Sequence, residues 1–351
     1  MKRRLALLTL DFPPNTGGVQ TLLFEIAKRL NRTYDVYVIT PVDSGGHHSK
    51  ECFQRVRIET ANSFTFWRVL QSIRPDRVLL GHAHPMLLMA AVLSGIDYYG
   101  TIVHGSDFLS AQKRWHRPLF NFLLGRSQPL IANSNPTAER LVQLGFSNSI
   151  VVHPGVDIVR FSPSDSDDHH PPIILTIGRL VPRKGIDLVI RSLPIVLQRV
   201  PDLIYRVGGD GPDRPRLEQL AAELGVGSAV QFLGPIRNED LTLQYRSADI
   251  FVMPVRADAT SMEGFGIVYL EASACGLPLI AGRSGGAVDA VRENETGMLV
   301  DPNDHHELAQ VILELLLNPE KRRRMGETGR RWTVAEMSWD RTAEAIARLL
   351  R

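Results

Sequence analysis

The chain is predicted to fold as two doubly wound α/β domains, each a mostly parallel sheet covered by helices. Three observations carry this. Short apolar, β-rich runs alternate with helical stretches of about ten residues from the first strand onward, which is the pattern of βαβ units. The alternation stops at residues 162–172 (SPSDSDDHHPP), a stretch with almost nothing apolar to bury, and then restarts. The 351 residues, 44% hydrophobic and 22% charged, are an ordinary globular make-up long enough for two cores.

The first strand is 5–10 (LALLTL). Met1-Lys2-Arg3-Arg4 ahead of it imitates the head of a signal peptide, but the apolar run is short and halts at Asp11-Phe12-Pro13-Pro14, as a buried strand does. A helix over 19–30, a strand over 34–40 and a strand over 77–80 follow, the last leading into a helix over 85–93. That helix is broken by Ser94-Gly95 and falls well short of the ~20 apolar residues of a membrane span, so no crossing is expected. A strand over 101–103, a polar turn, a helical stretch to about residue 124, a strand over 130–132 and a helix over 136–144 complete a domain assigned to 1–165.

The second domain, 166–335, opens with a strand over 173–177. Helices over 186–199, 214–224, 238–246 and 265–274 then alternate with strands over 203–207, 229–233, 250–253 and 277–281. The tail from about residue 304 is helical, and its basic run Lys321-Arg322-Arg323-Arg324 reads as a solvated face. In the last segment, 336–351, Trp339, Ala343, Ile346 and Leu350 fall at helical spacing, a stripe that suits either domain.

Charge and cysteine usage exclude several classes. A net charge of +2 without a dominating basic face is not that of a nucleic-acid binder. Cys52 and Cys275 stand far apart, without metal-type spacing, which fits a reduced cytoplasmic protein. His82, His84 and His104 have no evident acidic or thiol partner, so no metal site is assigned. The histidine pairs at 47–48, 169–170 and 305–306 lie in polar stretches and are given no role. Residues 113–124 (KRWHRPLFNFLL) mix basic, aromatic and aliphatic types, which suits a helix packed on the first sheet or a peripheral contact with an anionic membrane.

Open parallel sheets bind ligands outside the carboxyl ends of their strands, so two such domains are expected to face each other across a cleft lined by the turns at those ends. Glu263-Gly264-Phe265-Gly266-Ile267 places one carboxylate just ahead of a helix, and Glu271 lies eight positions on, about two turns inside it. N–H groups at a helix start attract a diphosphate, and carboxylates on either side suit sugar and ribose hydroxyls; an acidic helix start with a solvated glutamate gives the same letters. Arg179 and Lys184 follow a strand at a spacing that lets both face one anion, though a basic turn before a helix has the same pattern. Gly17-Gly18 opens the first helix and permits close backbone approach. His104 follows a strand, where it suits a catalyst or a hydrogen-bonded packing residue, with Ser106 and Asp107 as helix caps.

Taken in order, Gly17-Gly18, His104-Gly105-Ser106-Asp107, Ala132-Asn133-Ser134, His153-Pro154-Gly155-Val156-Asp157, Gly178-Arg179 with Lys184-Gly185, Gly208-Gly209-Asp210-Gly211-Pro212, and Glu263 with Glu271 resemble the retaining glycosyltransferases of family 4, with the GT-B fold. The resemblance covers nearly the whole chain. Asp11-Phe12-Pro13-Pro14, Gly17-Gly18-Val19-Gln20 and Met253-Pro254-Val255-Arg256 look most like the bacterial phosphatidylinositol-mannoside mannosyltransferases.

This resemblance implies a hexosyltransferase that moves mannose from GDP-mannose, with retention and without a metal or other cofactor, to a glycan or glycolipid hydroxyl. UDP- and ADP-sugars are used on the same framework, and an epimerase or a non-catalytic nucleotide-sugar-binding partner is the alternative class. By position, Arg179 and Lys184 would bind the diphosphate, completed by the N–H groups of Phe265, Gly266 and Ile267, and Glu271 the ribose. Glu263 would hold the donor sugar, His104 its hydroxymethyl side, and Gly17 and Gly18 would give the leaving phosphate room. The last helix would pack back on the first domain. The location implied is cytoplasmic, peripheral to the inner face of the membrane.

Overall fold

The computed structural model describes residues 2–15, 17–42, 51–96, 98–105, 107, 117–164, 171–257 and 262–351. They form two compact units: Met1–Gly155 with Trp339–Arg351, and Val156–Ser338. The break therefore falls ahead of the polar stretch, which belongs to the second unit. Ser106, residues 108–116 and the histidine pairs at 47–48 and 169–170 lie outside the described residues.

The first unit is built on β1 (Arg4–Leu8), β2 (Asp35–Pro41), β3 (Gln54–Ile58), β4 (Arg77–Leu80), β5 (Tyr99–Val103), β6 (Leu130–Ala132) and β7 (Ile150–Val151). They lie in the order β3-β2-β1-β4-β5-β6-β7, every pair parallel. Burial on both faces makes the central strands continuous apolar runs, LALL in β1 and VLL in β4. The helices are α1 (Gly18–Leu30), α2 (Ser63–Ile73), α3 (Pro85–Leu93), α4 (Arg117–Leu124) and α5 (Asn135–Gln143). Strand β3 and helix α2 fall in a stretch where the sequence pattern predicts neither.

The final helix, α13 (Trp339–Leu349), belongs to the first unit and packs on α1. Trp339, Ala343 and Ile346 are buried, which accounts for their helical spacing. Asp340 at its start takes Arg32 at 2.6 Å and Arg29 at 3.3 Å, and Arg77 donates to the Leu350 carbonyl at 2.9 Å.

The second unit holds β8 (Ile173–Ile177), β9 (Ile204–Gly208), β10 (Val230–Gly234), β11 (Ile250–Met253), β12 (Leu279–Gly282) and β13 (Gly297–Val300) in the parallel order β10-β9-β8-β11-β12-β13. Its helices are α6 (Ile186–Val196), α7 (Arg214–Glu223), α8 (Leu241–Arg246), α9 (Ile267–Ala274), α10 (Ala287–Ala290), α11 (His305–Leu317) and α12 (Pro319–Glu336). Alternate residues of β8 feed two cores: Ile174 joins one, Ile173, Leu175 and Ile177 the other. The basic run on α12 is only half solvated, since Lys321 pairs with Glu314 and Arg322 with Asp249 while Arg323 and Arg324 are exposed.

Strand order reverses between β1 and β4 in the first sheet and between β8 and β11 in the second. Loops leaving a sheet at such a switch point diverge to opposite faces and leave a crevice. Gly17, Arg179, Lys184 and Glu263 stand on these loops, whereas His104 follows β5 and Glu271 lies within α9.

Candidate functional site

The second unit's site is assembled by close backbone contacts that glycine permits. Leaving β8, the chain makes a 3-10 turn, Pro182–Lys184, and enters α6 through Gly185, whose φ of 72° is left-handed. A Cβ there would lie 2.1 Å from the Pro254 carbonyl oxygen, so the exit of β11 rests directly on this turn. Arg256 reinforces it, donating its backbone N–H to the Arg183 carbonyl at 2.9 Å and its guanidinium to Asp187 at 2.6 Å. The loop after β12 cradles the Glu263 turn in the same way. Gly286 N–H donates to the Glu263 carbonyl at 2.8 Å, and a Cβ on Gly286 would meet the Gly264 oxygen at 2.1 Å.

Glu263 is held by two cations on one oxygen. Lys184 Nζ lies 2.7 Å and Arg183 Nη1 2.5 Å from its Oε2. Burial pushes the carboxyl up, but the charges of Lys184 and then Arg183 outweigh it and hold the group at about 2. Lys184 is itself buried. Arg179 is exposed and, among the described residues, has no ion pair. The structure thus brings Lys184 to Glu263, leaves Arg179 at the mouth of the turn, and adds Arg183, which sequence reasoning passed over. Residues 183 and 184 are consecutive in the 3-10 turn, and their long side chains converge on one carboxylate oxygen.

Phe265 is buried, and Gly266, with φ 88°, caps α9 in the left-handed region. The helix begins at Ile267, two residues later than the sequence pattern predicts, because Phe265 and Gly266 are spent on the turn. Glu271 consequently sits one turn inside the helix, not two. The leading N–H groups of such a helix have no intrahelical acceptor and carry the positive end of its dipole. Glu271 Oε2 accepts the Tyr245 hydroxyl at 2.7 Å. Burial raises the Glu271 pKa, opposed by that hydrogen bond and by the charge of Arg160.

In the first unit a second polar group surrounds the β1/β4 switch point. Thr9 Oγ1 donates to the Asp11 carbonyl at 2.8 Å, so the ring nitrogen His82 Nε2, 3.0 Å away, is the donor to that hydroxyl. Burial holds the His82 imidazole at about 4, against the pull of Asp107, and the ring is neutral near pH 7. The Asp11 carboxylate accepts from Asn15 at 2.9 Å and from Gln20. The Gln20 amide also fills the space beside Gly17, where a Cβ would come within 2.5 Å of it. Gly18, exposed, begins α1.

His104 is buried. Its Nε2 donates to the Gly81 carbonyl at 2.9 Å, which leaves Nδ1 to accept from Asn133 at 3.4 Å. Asp107 ties the loops after β4 and β5 together, accepting from the backbones of His104 at 2.9 Å and Ala83 at 3.1 Å. His84 caps α3 through Nδ1. His82, His84 and His104 therefore spend ring nitrogens on Thr9, Met86 N–H and Gly81.

Against known proteins, residues 16–160 match the family model Glycosyltransferase Family 4 and residues 160–332 match Glycosyl transferases group 1. The chain is 31% identical to the GDP-mannose-dependent alpha-(1-6)-phosphatidylinositol monomannoside mannosyltransferase of Mycolicibacterium smegmatis, over 99% of this chain and 98% of that protein. Its fold matches sucrose-phosphate synthase from Thermosynechococcus elongatus with a TM-score of 0.84, at 21% identity and over 99% and 98% of the two chains. It matches Anabaena HepE, solved with UDP and glucose, with a TM-score of 0.81 at 22% identity, over 99% of each chain.

Proposed function

This chain belongs to the family 4 glycosyltransferases, of GT-B fold, and from that premise we propose that it transfers a mannosyl residue from GDP-mannose, with retention, to a glycan or glycolipid hydroxyl. The observation that carries the site assignment is the Glu263 cluster: a buried carboxylate under two cations, directly ahead of the α9 N-terminus. The GDP-mannose assignment rests on the mycobacterial relative matched along the whole chain.

In this reading the diphosphate takes Arg179, Lys184, the N–H groups of the turn at Phe265 and Gly266, and that of Ile267 at the helix start. Lys184 exchanges its partner for phosphate, and the Glu263 oxygens turn to the sugar hydroxyls. Glu271 takes the ribose. The cations and the helix start supply the charge that a divalent metal supplies elsewhere, so activity is expected to survive chelation. For the first unit, Gly17 and Gly18 are assigned to the departing phosphate and His104 to the sugar's hydroxymethyl group, its long Nδ1 contact being the one nearest to release.

Retention follows when the acceptor hydroxyl attacks from the face the diphosphate leaves. The bond from the anomeric carbon to the phosphate oxygen breaks, the bond to the acceptor oxygen forms, and the hydroxyl proton passes to the departing phosphate. No protein nucleophile is needed, and a glycosyl adduct trapped on Glu263, or an inverted product, overturns the scheme.

A lipid-bound acceptor suits the helical layer α2–α3–α4, whose sequences contain no acidic residue. Among the described residues it exposes Phe64, Leu93, Leu119 and Phe122, while Phe120, Leu123 and Leu124 of α4 pack inward. No helix there is long and apolar enough to cross a membrane, so the contact proposed is peripheral, on the cytoplasmic side. Anionic vesicles should sediment the protein at low salt; failure removes the lipid part.

The deciding experiment measures thermal stability with GDP, UDP and ADP, each with EDTA and with magnesium. A nucleotide at a hundred times its Kd adds about 2.7 kcal/mol to the folded state. Stabilisation by GDP in EDTA is the expected result. Stabilisation by UDP alone transfers the assignment to a UDP-sugar, and no response to any nucleotide refutes the donor site.

A further inference from the structure

Glu271 has a buried neighbour that nothing in the reading above uses. Tyr245, on α8, is fully buried, its ring edge-on to Phe161 at 5.8 Å and tilted against Phe251 at 5.9 Å. Its hydroxyl donates to Glu271 Oε2 at 2.7 Å. Turning Glu271 away would leave that hydroxyl buried and unpaired, which costs more than the bond itself is worth.

We propose that Tyr245 is a positioning residue, whose hydroxyl fixes the Glu271 carboxylate so that the site distinguishes a ribonucleoside diphosphate from its dideoxy counterpart. The inference rests on the assignment of Glu271 to the ribose. A free glutamate loses rotamer entropy when a ligand orders it, and one already held does not. Among the described residues no hydrogen bond reaches Oε1, so the anchored carboxylate keeps one oxygen open and a lone pair on the other for two vicinal hydroxyls. The phenol stays a donor at working pH, since burial and the Glu271 charge both push its pKa well up. Its helix is steadied from behind: Arg160 donates to Asn238 Oδ1 at 2.9 Å at the start of the α8 segment and lies over the Phe161 ring at 4.7 Å.

The test is calorimetric titration of the full chain with GDP, 2′,3′-dideoxy-GDP, UDP and 2′,3′-dideoxy-UDP. It compares the unaltered protein, Tyr245→Phe, Glu271→Gln and the double variant. The unaltered protein should prefer the ribose form of the nucleotide it accepts by tenfold or more. Tyr245→Phe keeps the ring and should weaken the ribose form by roughly tenfold while leaving the dideoxy form unchanged. Glu271→Gln should remove the preference, and adding Tyr245→Phe to it should change nothing further. Equal weakening of both sugars, or of neither, by Tyr245→Phe overturns the positioning role while the ribose assignment stands. A preference that survives Glu271→Gln defeats the ribose assignment and the inference with it.

Discussion

Replacing Lys184 with Met tests the electrostatics of the Glu263 cluster before any ligand is added. In the folded protein the Glu263 carboxyl is held at about 2, against an ordinary 4.5. Because its folded value is depressed, the stability it contributes is complete above pH 4.5 and is lost as pH falls from 4.5 toward 2. A shift of 2.5 pK units at about 1.36 kcal/mol each is about 3 kcal/mol. The side chain is only 13% exposed, so little of this is screened by solvent. Without the Lys184 charge the carboxyl loses its larger attraction but keeps Arg183, and the variant should be less stable at pH 7 by up to about 3 kcal/mol. Urea unfolding from pH 7 to pH 3.5 would then show the gap constant down to about 4.5 and closing below it, by up to about 1.4 kcal/mol over the next unit. Parallel curves across the whole range would mean that Lys184 stabilises by packing alone and does not hold Glu263 ionised.

The turn geometry predicts that Gly185→Ala is destabilising by several kcal/mol, since the added Cβ meets the Pro254 oxygen, whereas Gly225→Ala, at φ 68° with open space around it, costs about 1 kcal/mol; chemical denaturation of the pair separates backbone clash from backbone conformation. Burial pushes the Cys275 thiol up to about 12, and Cys52 is exposed, so a thiol reagent at pH 8 should modify Cys52 alone until denaturant is added. Asp340 is half exposed, so Asp340→Asn should cost no more than about 1 kcal/mol, and the difference should vanish in molar salt despite the two arginines it meets.

The sequence displayed most of the fold because strands buried on both faces, such as β1 and β4, carry short unbroken apolar runs that turns cannot imitate. Strand β3 was not legible for the opposite reason. It lies at the sheet edge, and QRVRI buries only Ile58. Helix α2 is rich in aromatic and β-branched residues, and its start is set by the Asn62 cap rather than by periodicity. At the site, Glu263, Lys184 and Glu271 were legible from type and spacing. Arg183 and Tyr245 were not, because each matters only through a contact across 80 and 26 positions of chain respectively. Asp107 and His104 illustrate a third limit. The sequence placed both at a strand exit, but not that Asp107 would join two loops or that the His104 ring would be fully engaged.

The place of α13 bears on how the molecule is made. The apolar flank of α1 that Trp339 and Ile346 cover is among the first parts of the chain to be synthesised, and its cover is made only after all of residues 156–338. At ordinary translation rates that interval is on the order of ten seconds or more, during which the second unit is being made while the first still lacks a piece. A nascent first unit is thus a natural client for a chaperone. Expressing residues 1–155 alone would reproduce the same unfinished surface permanently, so a fragment meant to isolate this unit needs 339–351 joined back to it.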